Sequence, residues 1–491
     1  MTRPLPPGLP VALDDSVSLW AGGRVATGGS PWRLARFKDA ALPHLSALRR
    51  AGRRGLAPGS PLGRALARQL LDRGLAHPVP APRPGPHPVT VVVPAYRRAD
   101  ELGRCLTALA GLPVIVVDDG SPNPTALRDV ADAHGAVLVR HSANRGPAAA
   151  RNTGLALARS PFVAFVDSDC RPEAGWLDTL IPYFDDPRVA AVAPRVVPDC
   201  ADDLTQAGTK ADSNACATGA LARYERARSS LDMGTAPALV RPGGKVGFVP
   251  TATLIVRRDA VDDRAFDEDM RLGEDVDFVW RLDDSGHHVR YQPQARVAHT
   301  PRLAWTAWAR RRHEYGTSAA ALAARHPGRL APVRASGWNL VTLALLTRRK
   351  LVPAAGSAVF AAALLRRGLA GTPSATALSA TVVAKGLSAD AIAVGHALRR
   401  EWWPVGLLCL AASGRSATAR AAAATMLAPV VADWLTRRPA PGLDVVRWSV
   451  LRLADDLCYG TGVTASAWRN RSLAPLLPDV SFPLPQRRPA T

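Results

Sequence analysis

The stretch PFVAFVDSDC, Pro161–Cys170, limits what this chain can fold into more than any other. Its apolar run, Phe162 to Val166, suits a strand buried on both faces, and such strands belong to parallel sheets covered by helices on either side. The run stops at two carboxylates, Asp167 and Asp169. In extended backbone, residues i and i+2 point the same way, so both are expected to meet one point beyond the strand's carboxyl end, where open α/β sheets place their ligands. Paired hard oxygen ligands suit Mg²⁺ or Mn²⁺, with phosphate oxygens and water completing the shell. A solvated turn after a strand is the plainer alternative.

The flanking sequence repeats the pattern. VTVVVP begins at Val89 and PVIVVDDGS ends in Asp118 and Asp119. AVLVR follows, with helical stretches expected at Asp100–Ala110, near Thr125–His134 and from Gly146. Strands alternating with helices of this length predict right-handed βαβ units and a mostly parallel sheet covered on both faces. In the crossover NRGPAAARNTGLALA, Gly146 and Gly154 are expected to let backbone approach a ligand closely.

Residues 1–77 read as a separate small α+β module. Strand-like VALDDSVSLW and GGRVATGGSPWRLARF precede helices around Asp39–Arg50 and Pro61–Arg73. Residues 78–88, PVPAPRPGPHP, read as a semi-rigid Pro-rich linker. After residues 89–301, a basic aromatic helical segment covers 302–335. An Ala/Leu-rich helical region then fills 336–491.

With 491 residues the chain has ample core for two or three domains. A formal net charge of +21 favours anionic partners such as nucleic acid, a lipid surface or a phosphorylated substrate, without choosing among them. The cysteines, Cys105, Cys170, Cys200, Cys216, Cys409 and Cys458, show no metal or disulfide spacing, which fits a reducing cytosol. MTRPLPPGLP has no apolar signal core, so export by that route is not expected. The apolar segments NLVTLALL, LVPAAGSAVFAAALL, WWPVGLLCLAA and AAAATMLAPVVADWL fall short of the roughly 20 residues a bilayer span needs. Their Ala content makes them marginal spans or, flanked by Arg348, Arg349, Lys350, Arg366 and Arg367, helices lying on the membrane face, and association with the membrane at its cytoplasmic side is expected over a soluble bundle.

VVVPAYRR, VVDDGS, NRGPAAARN, DSD and GEDVDFVWR occur in this order. Together they resemble the inverting glycosyltransferases of family 2, which have the GT-A nucleotide-sugar-binding fold, and the resemblance covers roughly Val89–Pro301. It implies that Pro94, Tyr96 and Asp118 surround the base and ribose of a UDP-sugar. Asp119 either joins them or caps the next helix. Arg151 lies where the family contacts the nucleotide or the aspartates, with a surface arginine as the alternative. Asp169 is the implied direct metal ligand, and Asp167 contacts the ribose or the metal. His299, in ARVAHTPR, is a further implied ligand or a structural histidine. In GEDVDFVWR the resemblance makes Asp275 the general base, with Glu274 orienting it or binding the acceptor. Acidic residues in a helix's first turn also favour its dipole.

His287 and His288 are expected in a polar turn after Gly286. Trp305 and Trp308 either stack on an acceptor sugar or sit in the core. The N-terminal module loosely resembles winged-helix-like domains that carry precursor peptides. The order of all parts resembles glycosyltransferases acting on a peptide-derived redox cofactor or its precursor, and implies β-1,4-linked glucose from UDP-glucose. A lipid or cell-envelope polysaccharide acceptor is the alternative. A nucleic-acid- or peptide-binding scaffold would expect disrupted carboxylates, yet Asp118, Asp167, Asp169, Glu274 and Asp275 are all present. No nucleic-acid partner is therefore expected.

Overall fold

A computed structural model describes residues 4–199, 219–437 and 442–482, which leaves Cys200 and Cys216 outside the described residues. The chain divides into two compact units, Met1–Ser213 with Arg228–Pro301, and Asn214–Ala227 with Arg302–Thr491.

The first unit begins with strands β1 (Val11–Leu13), β2 (Ser18–Trp20), β3 (Val25–Gly28) and β4 (Arg33–Arg36). Helices α1 (Leu42–Ala51) and α2 (Pro61–Asp72) follow, then β5 (Ala76–Pro78). β2, β3 and β4 form an antiparallel sheet, and β1 pairs with β5. Ser60 starts α2 by accepting from the Gly63 N–H at 3.0 Å, and Pro61 occupies the first helical position, where its missing N–H costs nothing. Leu66, Leu70 and Leu71 lie on the buried side of α2, against Leu45 and Leu48 of α1.

The alternation expected from Val89 is present. Its elements are β6 (Val89–Ala95), α3 (Ala99–Ala108), β7 (Val114–Asp118), α4 (Pro124–Ala133), β8 (Val137–Arg140), α5 (Pro147–Leu157) and β9 (Phe162–Val166). Then come β10 (Cys170–Pro172), α6 (Trp176–Leu180), β11 (Val189–Pro198), β12 (Ala238–Leu239), β13 (Thr253–Arg257), α7 (Glu274–Asp284) and β14 (His288–His299). The sheet runs β10-β14-β11-β13-β9-β6-β7-β8, with β12 also on β14. β6 pairs in parallel with β7 and β9, β7 with β8, and β11 with β14. β10, β12 and β13 run antiparallel to their neighbours. The fold is thus the expected α/β class, with a mixed, mostly parallel GT-A-type sheet.

β9 sits at its centre. Val163 to Val166 are wholly buried, and each large side chain there contributes about 1.5–3 kcal/mol. Gly154 has a different role from the one expected. A Cβ there would lie 2.2 Å from Val92 Cγ1, so it lets α5 press on the sheet rather than on a ligand. Gly146 has open space at its Cβ position and a φ of +95°, a conformation that favours glycine at the start of α5.

His288 is not in a polar turn. It opens β14, is 1% exposed, and its Nε2 lies 3.1 Å from Asp72 Oδ1 at the end of α2. The sequence hides this because the partner comes from the N-terminal module. Beside it, buried Arg68 donates to both oxygens of Asp186, at 2.8 and 2.7 Å.

The second unit is mostly helical, with a parallel strand pair, Arg334–Ser336 and Asp479–Ser481. Tyr224, Trp308, Val430, Trp448 and Leu451 share one core cluster. Arg312 donates to Glu225 Oε1 at 2.5 Å and to Asp455 Oδ1 at 2.8 Å. Trp308 is thus core, whereas Trp305 is 56% exposed. Ala375–Arg399 is long and apolar enough to cross a membrane, and only 17% of its most apolar window is buried. Its scattered Ser, Thr, Lys and Asp residues interrupt the apolar run, so the sequence reading passed over it.

Candidate active site

Parallel pairing brings the carboxyl ends of β6, β7 and β9 to one edge of the sheet. Ala95 lies opposite Asp118, and Val92 opposite Phe165. Just beyond β6, Tyr96 is 39% exposed and the Arg97 guanidinium lies 4.9 Å from its ring centre. Pro94 is half-buried. Arg97 and Arg98 both take left-handed backbone, with φ of 60° and 53°. Strain of this kind concentrates at functional sites. They border an open depression of about 490 Å³ shared with Ala99, Pro122, Asn123, Ala126 and Leu127.

Asp118 is wholly buried. Its Oδ1 accepts from the Ser121 N–H at 2.9 Å, and the Ser121 hydroxyl accepts from the Arg97 N–H at 2.8 Å, which ties the ends of β6 and β7 together. Among the described residues nothing hydrogen-bonds to the buried Asp118 Oδ2, although Arg140 Nε lies 3.3 Å away as an ion-pair partner. The ion pair offsets its charge, and the oxygen still has room to accept a hydrogen bond from a ligand.

Asp119 caps no adjacent helix. It accepts from the Arg145 N–H at 2.9 Å and the Gly146 N–H at 2.8 Å, bracing the start of α5, and its Oδ1 lies 2.8 Å from His141 Nδ1. The other ring nitrogen of His141 lies 2.9 Å from Thr153 Oγ1. The sequence reading missed His141, although its place directly after β8, where neighbouring strands end in carboxylates, was a usable signal.

The two carboxylates after β9 have different partners in the structure. The strand stops at Val166, and the Cys170 N–H donates to Asp167 O at 2.9 Å. A turn therefore takes the place of the extended backbone expected there. Asp167 Oδ1 accepts from Arg151 Nη2 at 2.8 Å. Asp169 Oδ2 instead lies 3.6 Å from His299 Nε2 and 3.9 Å from Arg98 Nη1. The pairing of Cys170 with His299 across β10 and β14 fixes that approach. Asp169 and His299 thus converge as two donors. Among the described residues no group of three His, Cys, Asp or Glu gathers to hold a metal. One carboxylate and one imidazole beside a substrate diphosphate still suit Mn²⁺ or Mg²⁺, which often take substrate phosphates and water as remaining ligands.

Arg151 is not a surface residue. It is 3% exposed, and its other terminal nitrogen, Nη1, donates to Glu274 Oε1 at 3.0 Å. Burial alone would lower its pKa, but Asp167 and Glu274 outweigh this and raise it. Asn152, next on α5, donates to Phe266 O at 2.8 Å and accepts from the Phe266 N–H at 3.0 Å. NRGPAAARN therefore braces the segment leading into α7. Glu274, 7% exposed, is consumed by Arg151. Asp275 is half-buried, and among the described residues its Oδ1 accepts only the Val276 N–H, at 2.8 Å. Burial, then the neighbouring Glu274 charge, push its carboxyl up to about 7. A carboxylate that titrates near pH 7, with no ion-pair partner among the described residues, can take a proton from a hydroxyl.

A family model described as Glycosyl transferase family 2 matches residues 90–263. The chain is 39% identical over 486 residues, 97% of its length and 98% of the relative's, to the protein named Pre-mycofactocin glycosyltransferase in Mycobacterium tuberculosis. It is 27% identical over 216 residues to Glycosyltransferase AglE of Haloferax volcanii, covering 41% of this chain and 64% of that one. Among solved structures, the mannosyltransferase PcManGT from Pyrobaculum calidifontis, in complex with GDP-Man and Mn²⁺, is 25% identical. That alignment covers 62% of this chain and 83% of the other, with a TM-score of 0.37.

Proposed function

The chain belongs to glycosyl transferase family 2, and from that premise we propose that it transfers a hexose from a UDP-sugar, with inversion, to a peptide-derived redox cofactor or its precursor. The carrying observation is the contrast at the start of α7, where Glu274 is ion-paired and Asp275 is left with a raised carboxyl. The 39% identity along nearly the whole chain to a protein named Pre-mycofactocin glycosyltransferase supports a mycofactocin precursor as acceptor. The donor is UDP-glucose in this reading, and the product a β-1,4-linked chain.

In the transfer, Pro94, Tyr96 and Asp118 seat the base and ribose, with Asp118 Oδ2 accepting from a base N–H or a ribose hydroxyl. Asp119 holds the loop that opens α5. Asp275 removes the proton from the acceptor hydroxyl as its oxygen bonds to the anomeric carbon. The bond from that carbon to the diphosphate breaks on the opposite face, so UDP leaves and the configuration inverts. Asp169 and His299, with Asp167 beside them, would hold a divalent metal, which supplies positive charge for the departing diphosphate. Arg151 keeps Asp167 and Glu274 in place.

A second reading keeps the chemistry and places the acceptor, a lipid or polysaccharide, at the membrane. The observation that favours it is the second unit's exposed apolar surface, including Val352 at 84%, Val359 at 68% and Leu408 at 69%. Association with the cytoplasmic face of the membrane belongs to both readings. The test is UDP release with Mn²⁺ or Mg²⁺, offering UDP-glucose, UDP-galactose and UDP-N-acetylglucosamine with the peptide-derived acceptor. Acceptor-dependent release with UDP-glucose alone is expected. Release only when lipid or polysaccharide replaces the peptide would overturn the first reading in favour of the second.

A further inference from the structure

The last residue of α2, Asp72, is bound from three parts of the catalytic sheet's chain. Its Oδ2 accepts from Arg188 Nη1 at 2.8 Å, just ahead of β11. Its Oδ1 lies 3.1 Å from His288 Nε2, and its backbone oxygen accepts from Arg241 Nη1 at 3.0 Å. The contact with His288 has a defined direction. Arg290 Nη2 lies 3.2 Å from His288 Nδ1. A guanidinium only donates, so Nδ1 accepts and the imidazole proton sits on Nε2, facing Asp72. Burial, the leading cause, lowers the His288 pKa to about 4 and keeps the ring neutral in this role.

Two of these partners also grip the far end of α7. Arg241 Nε donates to Asp283 Oδ1 at 2.7 Å. Arg188 Nη2 donates to Gly286 O at 3.0 Å. The N-terminal module holds the middle of α7 by a second route. Lys245 donates its N–H to Ser30 Oγ at 2.7 Å and its Nζ lies 3.2 Å from Asp14 Oδ1, while Trp280 Nε1 donates to Gly247 O at 2.8 Å in the same loop. The first turn of this helix carries Glu274 and Asp275. At 1.5 Å per residue, the 11 residues of α7 span about 16 Å, and a helix that short moves as one body.

We propose that Asp72 is a positioning residue for glycosyl transfer, and that through Arg188 and Arg241 the N-terminal module sets where α7 presents Asp275. The inference rests on Asp275 being the general base. It gives residues 1–77 a part in the transfer that does not depend on their binding any peptide. The module is a jig for the base, and an error of 1 Å in such a placement can cost about 100-fold in rate.

The experiment uses the full chain. Asp72→Asn removes the charge that holds Arg188, and Arg241→Gln cuts the link to Asp283 while leaving the ion pairs of Asp72 in place. UDP affinity, donor KM and kcat are measured for both, with Asp275→Asn alongside. Expected are unchanged UDP affinity and donor KM in both variants, with kcat lower by about 10- to 100-fold. If Asp72→Asn does not fold, Arg241→Gln decides alone. Native kcat in the folded variants, with Asp275→Asn inactive, would overturn the positioning role and leave the base assignment standing. Native kcat in Asp275→Asn would overturn the base assignment, and the inference with it.

Discussion

Arg151 donates to Glu274 Oε1 at 3.0 Å and so spends its charge on the carboxylate beside the one that needs to stay basic. The adjacent acids at the start of α7 thereby receive different work. Glu274 is fixed in an ion pair, while Asp275 carries a raised carboxyl.

Asp275→Asn should therefore keep UDP-sugar affinity and lose turnover by about 10²- to 10⁴-fold, the usual worth of general-base help. Titration calorimetry with UDP and a UDP-release assay measure the two halves. Normal turnover would remove the base assignment.

The rate should follow the ionisation of Asp275. Only its deprotonated form accepts a proton, so kcat/KM is expected to rise with pH through about 7 and level off above it. Glu274→Gln removes a negative neighbour that raises this carboxyl, so the same limb should move to lower pH. A limb that moved upward, or stayed put, would contradict the electrostatic account.

Asp169→Ala should abolish the gain in UDP affinity that Mn²⁺ confers, by about tenfold or more, and leave uridine binding unchanged. His299→Ala should weaken that gain less, because the diphosphate and water can fill its place. UDP affinity measured with and without Mn²⁺ reads both. Metal-dependent affinity equal to native in Asp169→Ala would end its role as a ligand.

Arg68→Ala should destabilise the fold by about 3–5 kcal/mol, because it strands a buried carboxylate. Asp186 is wholly buried. Burial opposes its charged form, but the Arg68 hydrogen bonds outweigh it and hold the carboxyl below its ordinary value. A depressed carboxyl stabilises the fold above its unfolded-state pKa, and that contribution fades as pH falls through the folded value. Urea midpoints at neutral pH should separate the variant from native, and the gap should narrow in acid.

The sequence showed the sheet well and its wiring poorly. The apolar run Phe162–Val166 predicts a doubly buried strand, and the structure buries Val163 to Val166 completely. The start of α5 at Gly146 was legible because a glycine's backbone preference is local. The partners of Arg151 were not, since Glu274 lies 123 residues away and only folding brings it close. His288 looked polar for the same reason, as its buried partner Asp72 belongs to another part of the chain. The separate partners of Asp167 and Asp169 were not legible either, because a turn replaces extended backbone directly after β9.

Strand β14 begins at His288, against Asp72 of the N-terminal module, and ends at His299, against Asp169. For protein engineering this means that the Pro-rich stretch at 78–88 is a poor place to join halves from different homologues. A chimera cut there inherits an Asp72 shaped for one set of Arg188, Arg241 and His288, and a β14 and α7 shaped for another. Grafts that move these residues together with residues 1–77 are the ones that should keep their catalytic geometry.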